Sequence, residues 1–85
     1  MIVRFHRNFE KQYRKLNGNQ KNKFQERLKV FLYDEFNPTL NNHPLRGHYQ
    51  GYRSINVTGD LRAVYKRLKD AAVFVAIDIH SNLYR

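Results

Sequence analysis

Phe5, Phe9, Tyr13 and Leu16 recur at i, i+4, i+8 and i+11, the spacing that lines one side of a helix, while Arg7, Lys11, Arg14 and Lys15 point elsewhere. Asn17-Gly18 reads as the stop of that helix. From about Asn19 a second helix is predicted, because Phe24, Leu28, Phe31, Leu32 and Phe36 form another apolar stripe before Asn37-Pro38 closes it. Two such helices with a tight connection make a helical hairpin, whose apolar faces need a further layer to cover. Ahead of them, the short apolar segment from Ile2 to Phe5 reads as a first strand or the lead into a helix.

Beyond Thr39 the period changes. Residues 39–50 are polar and punctuated by Pro44 and Gly47, as in a loop. Tyr52 to Val57 then reads as a strand, Thr58-Gly59-Asp60 as a turn, Leu61 to Leu68 as a second strand, and Lys69-Asp70 as a hairpin tip before Ala72 to Ile79. That last run is nearly continuous in Val, Ile, Ala and Phe, which suits a strand covered on both faces. Strict alternation places Val73, Val75, Ile77 and Ile79 on one face, and Phe74, Ala76, Asp78 and His80 on the other. The expected fold class is α+β, a short N-terminal strand and a helical hairpin followed by a mainly antiparallel sheet, in one domain spanning residues 1–85.

Composition narrows the partners. Sixteen Lys and Arg against seven Asp and Glu give a formal charge of +9 on 85 residues, well beyond what solubility needs. Eight of the cations lie between Arg7 and Lys29, where they form either a solvated face or a nucleic-acid footprint. Basic residues interspersed with aromatic ones favour nucleic acid over membranes or acidic proteins, since bases stack on rings while phosphates meet cations. The chain has no cysteine, so disulfides, thiolate metal sites and thiol nucleophiles are excluded. Its four histidines lack the spacing of zinc enzymes and its glycines are too scattered for a phosphate loop, so no metal and no cofactor is expected. No apolar run approaches a signal peptide or a membrane span, and a soluble cytoplasmic protein is the expectation.

The remaining chemistry is metal-independent RNA cleavage, which requires a base for the 2′-OH, an acid for the leaving 5′-oxygen and cations for the phosphate. The residue types are present in His80, His43, Asp60, Arg53, Arg62 and Tyr84. Each also has an ordinary structural reading. His80 suits a strand-end histidine bonded to Asp78 or a carbonyl, and His43 a turn residue held extended by Pro44. Asp60 suits a turn former, Arg53 and Arg62 exposed strand cations, and Tyr84 a pin for the C-terminus. His6, His48 and Tyr49 read as structural or solvated.

Four segments then carry a resemblance: His43-Pro44-Leu45-x-Gly47, Gly51-Tyr52-Arg53, Asp60-x-x-x-x-Tyr65-Lys66 and His80-Ser81-x-Leu83-Tyr84. In order and spacing they resemble the bacterial RelE/ParE superfamily of type II toxins, and within it the YafQ-like branch of ribosome-dependent mRNA interferases. The resemblance is close from Asn42 to Tyr84 and lies mainly in layout from Met1 to Phe36. It implies a RelE-like fold and a toxin that cuts mRNA in the ribosomal A site until a cognate antitoxin silences it. It also implies that His43, His80 and Asp60 move protons or orient substrate, that Arg53 and Arg62 stabilise the scissile phosphate, and that Tyr84 stacks on or orients the nucleotide. Arg46 and Asn56 join Arg53 as candidate substrate-binding residues.

The chain departs from that pattern where Asn56 replaces another histidine and Leu61 a tryptophan. The first change removes a titratable group and leaves the division of acid and base among His43, Asp60 and His80 open. The alternatives are a non-nuclease ParE-like gyrase inhibitor or an RNA-binding module of the same fold. ParE-like chains generally lack the terminal histidine and aromatic, so His80 with Tyr84 favours cleavage.

Overall fold

A computed structural model describes residues 1–84. Strand β1 (Ile2–Phe5) leads into helix α1 (Arg7–Arg14) and helix α2 (Gly18–Tyr33), followed by strands β2 (His43–Pro44), β3 (Arg53–Asn56), β4 (Leu61–Arg67) and β5 (Ala71–Ile79), and then the single turn of helix α3 (His80–Leu83). The strands form one sheet in the order β1-β5-β4-β3-β2. Its neighbours are antiparallel except β1, which runs parallel to β5 after the helical crossover. The α+β architecture expected from the pattern is therefore the one observed.

Asn17 and Gly18 belong to the start of α2 instead of ending α1. The Asn17 side chain accepts from the Gln20 amide at 2.8 Å while Gln20 Oε1 accepts from the Asn17 amide at 3.0 Å, a reciprocal cap that satisfies two otherwise unpaired donors. α2 also ends earlier than expected. Phe24 and Phe31 are buried and Leu28 packs against the core, but Leu32 and Phe36 are 49% and 59% exposed. Phe36 lies beyond the helix and Leu32 on its outer side, so the buried stripe is narrower than the sequence pattern implied. Within the polar stretch 39–50 the chain forms β2 and two short 3-10 turns, Pro38–Leu40 and Gly47–Tyr49.

The core lies between the helices and one face of the sheet. Phe9, Phe24 and Phe31 pack against Ile55, Leu61, Ala63, Tyr65, Phe74 and Ile77, with ring centroids of Phe24 and Phe31 lying 5.7 and 5.4 Å from that of Phe74. Burying each large apolar side chain contributes about 1.5–3 kcal/mol.

Strict alternation along β5 does not hold. Val64 faces Ala76 but Tyr65 faces Phe74, leaving Val75 as an extra residue, a β-bulge. Ala72 and Phe74 therefore share the helix-covered face with Ile77, while Ala76 and Asp78 turn to the other. α1 satisfies the backbone there: Asn8 Nδ2 donates to the Val75 carbonyl at 3.0 Å, and Gln12 Oε1 accepts from the Ile77 amide at 2.9 Å.

Candidate active site on the second face of the sheet

Register decides which side chains meet on the face turned away from the helices. His43 pairs with Ser54, Ser54 with Val64, and Val64 with Ala76, which places these four in one row. The next row holds Asn56, Arg62 and Asp78. Two residues of strand, about 7 Å, separate the rows.

Tyr84 links α3 to the first row. Its hydroxyl donates to Ser54 Oγ at 2.9 Å, and Ser54 is fully buried. Its ring meets that of His80 edge-on at 4.7 Å between centroids and that of Tyr49 at 6.5 Å. Burial raises the Tyr49 phenol above its ordinary pKa, with Tyr84, Tyr52 and Asp78 adding to the effect. Sequence reasoning reads Tyr49 as structural or solvated and does not single out Ser54. A serine at an inward-alternating strand position was the only available signal for Ser54.

At the other end the His80 amide donates to the Asp60 carbonyl at 2.7 Å, so the β3–β4 turn and the start of α3 are tied together with the Asp60 side chain exposed beside them. Asp78 Oδ1 accepts from the Ile79 amide at 2.8 Å and from Asn82 Nδ2 at 3.1 Å, holding α3 at the end of the strand. Arg62 donates to the carbonyls of Thr58, Gly59 and Leu61 at 3.0–3.2 Å. None of these partners is a carboxylate, so the guanidinium keeps its full charge for an anion. Asn56 Oδ1, beside it in the register, is buried and has no hydrogen-bond partner among the described residues.

His43 Nδ1 lies 2.8 Å from the Asn41 carbonyl. A carbonyl only accepts, so Nδ1 carries the proton and Nε2 of the neutral ring holds a free lone pair. Asn41 itself adopts a left-handed conformation, φ 46°, which asparagine tolerates.

The structure thus brings His43, Asn56, Arg62 and Tyr84 to one face, with the His80 ring against Tyr84 and the Asp60 backbone tied to the His80 amide. It does not bring Arg53 there. Arg53 pairs with Tyr65 on the helix-covered side, where its Nε donates to Asn42 Oδ1 at 2.7 Å and its guanidinium lies 5.1 Å from the Phe36 ring centre. Arg46 is exposed just before the Gly47–Tyr49 turn. Leu61 is buried in the core. One hollow of about 220 Å³ runs along Phe5, Phe9, Tyr13 and Phe24, away from this face, and another of about 290 Å³ lies between Gln12, Lys15, Gln20, Asp78 and Ile79, where α1 meets the end of β5. Among the described residues no group of three His, Cys, Asp or Glu gathers as metal ligands, and no helix is long and apolar enough to cross a membrane.

Comparison with known proteins adds the family. The model of the family described as bacterial toxin of type II toxin-antitoxin system, YafQ, matches residues 1–85. No curated sequence matches significantly. Among solved structures, YafQ from E. coli strain BL21(DE3) superposes with a TM-score of 0.83 at 20% identity, covering 98% of this chain and 97% of that one. The YoeB/ParE toxin from Agrobacterium tumefaciens gives 0.77 at 18% identity over 94% and 99% of the two chains. A chain of the E. coli DinJ-YafQ toxin-antitoxin complex gives 0.76 at 24% identity over 98% and 96%.

Proposed function

The chain belongs to the YafQ family of type II toxin-antitoxin toxins, and from that premise we propose that it is a ribosome-dependent endoribonuclease that cuts mRNA in the ribosomal A site without a metal. The observation that carries the reading is the fixed tautomer of His43, whose free Nε2 stands on the same face as His80 and Arg62.

His43 Nε2 takes the proton of the ribose 2′-OH. The 2′-oxygen then bonds to phosphorus as the bond to the 5′-oxygen breaks, and protonated His80 donates to that leaving oxygen. A 2′,3′-cyclic phosphate and a free 5′-OH result. Arg62 leaves its turn carbonyls for the phosphate oxygens, where charge develops. Asp60 orients His80 across the bond that joins their backbones, and the Tyr84 ring steadies the nucleotide. Each proton-transfer group contributes about 10²–10⁴ in rate.

The +9 surface suits both a ribosomal RNA environment and capture by an acidic antitoxin, and the site of action is the cytoplasm. Purified 70S ribosomes carrying a defined message test the proposal. Cleavage within the A-site codon is expected, and its absence with folded protein overturns the reading. Filamentation and DNA damage in cells whose translation continues point instead to a gyrase inhibitor of the same fold.

A further inference from the structure

The face that carries His80 and Tyr84 does not end with them. The ring of Tyr49 stands between Tyr84, at 6.5 Å, and Tyr52, at 5.9 Å, with His48 at 5.0 Å on its outer side. Lys66 Nζ lies 5.3 Å from the centre of the Tyr52 ring. Tyr49 and Tyr52 keep part of their surface in solvent, and His48 and Lys66 are exposed.

The backbone holds this group in place. Gly47 and Gly51 take φ values of +64° and +91°, and bracket the turn that presents Tyr49. The Tyr52 amide donates to the Tyr49 carbonyl at 2.9 Å, and the Leu45 amide to the Tyr52 carbonyl at 2.9 Å, which fix the two tyrosines relative to β3. Aromatic rings set in advance beside a cation are the elements with which proteins hold single-stranded nucleic acid. Arg62 and Lys66 are four residues apart on one face of β4, about 13 Å along the strand, too far to grip the same phosphate.

We propose that Tyr49, Tyr52 and Lys66 form a second nucleotide subsite, in which a base flanking the cleaved position packs on the tyrosine rings and Lys66 meets its phosphate. The assignment rests on the ribonuclease reading for its substrate, single-stranded RNA, but on separate residues. Tyr49 and Lys66 are positioning residues that touch no reacting atom.

The chain has no tryptophan, so Tyr49→Trp provides a single indole, excited selectively over the remaining tyrosines, at the centre of the subsite. Titration with a six-nucleotide uridine RNA is expected to quench its emission, and an abasic sugar at one position of that RNA to abolish the quenching. Lys66→Gln is expected to lower the salt dependence of binding by about 0.7 log units per decade, the value of one phosphate contact on a single strand. In ribosome cleavage assays Tyr49→Ser should raise the half-saturating protein concentration by roughly 5- to 150-fold, the worth of one stacked base, with the plateau rate held and Tyr49→Phe restoring the wild-type value. Absence of quenching, or a plateau rate that falls in place of a shifted half-saturation, overturns the subsite. Quenching without cleavage by the wild type keeps the subsite and overturns the nuclease reading. Cleavage unchanged in Tyr49→Ser does the reverse.

Discussion

The two faces of the sheet are built from different materials. The helix-covered face is a continuous aromatic and aliphatic layer in which Phe9, Phe24, Phe31, Tyr65 and Phe74 pack ring against ring. Its polar residues are tied to one another: Tyr65 donates to Glu35 Oε2 and accepts from Asn42 Nδ2, both at 2.7 Å, Arg67 pairs with Glu35 at 3.0 Å, and Arg53 bonds Asn42. The second face carries imidazoles and, among the described residues, a guanidinium without a carboxylate partner and an asparagine oxygen with nothing to bond. One face spends its polar groups on holding the fold together. The other holds its polar groups by backbone carbonyls and neutral partners, which a charged substrate can displace.

Substitutions should therefore separate by face. Phe74→Ala is expected to destabilise the fold by about 3–5 kcal/mol, read as a lowered urea midpoint. A loss below 1 kcal/mol would mean that the aromatic layer does not carry the stability. His80→Ala is expected to reduce ribosome-dependent cleavage by about two decades or more with an unchanged urea midpoint. A parallel loss of stability would place His80 with the structural residues.

Tyr65→Phe leaves Glu35 and Asn42 each short of a buried partner and is expected to cost about 1–3 kcal/mol. Its effect depends on pH. Burial raises the Tyr65 phenol well above its ordinary value of 10.0, so above about pH 10 the unfolded chain loses this proton while the folded chain keeps it. The Tyr65 contribution to wild-type stability is constant below that pH and falls above it. The variant lacks this slope, so the gap between the two should narrow in alkali, and a gap that widens would contradict the environment described for Tyr65. Tyr84→Phe, the smallest change, removes the bond to Ser54 and should cost about 0.5–1.5 kcal/mol. A larger loss in cleavage than in stability would show that Tyr84 serves both faces of the problem, anchoring α3 and holding substrate.

Much of the architecture was legible in the order of residues. The hairpin from Leu61 to Ile79 declared itself through apolar runs and a polar tip, and the helices through the spacing of their phenylalanines. The choice of face was not. A run as uniformly apolar as Ala72 to Ile79 has no polar member to mark where alternation slips, so the bulge at Val75 left no trace. Arg53 and Arg62 look alike as strand cations, and only the register of β3 against β4 puts them on opposite sides. Asn17 had the composition of a stop and proved to be a start, because caps at both ends draw on the same residues.

The bulge makes residue count in β5 a matter of chemistry. Deleting Val75 alone would leave composition, charge and apolar content almost untouched and would close the ladder into regular alternation, with Phe74 and Ile77 still under the helices and Asp78 still on the other face. What would be lost is the bend and added twist of the extra residue, and with them the direction in which the strand delivers Asp78 and the turn of α3. Among related chains, a one-residue gap at this point is therefore expected to spare the core and to change the aim of the site.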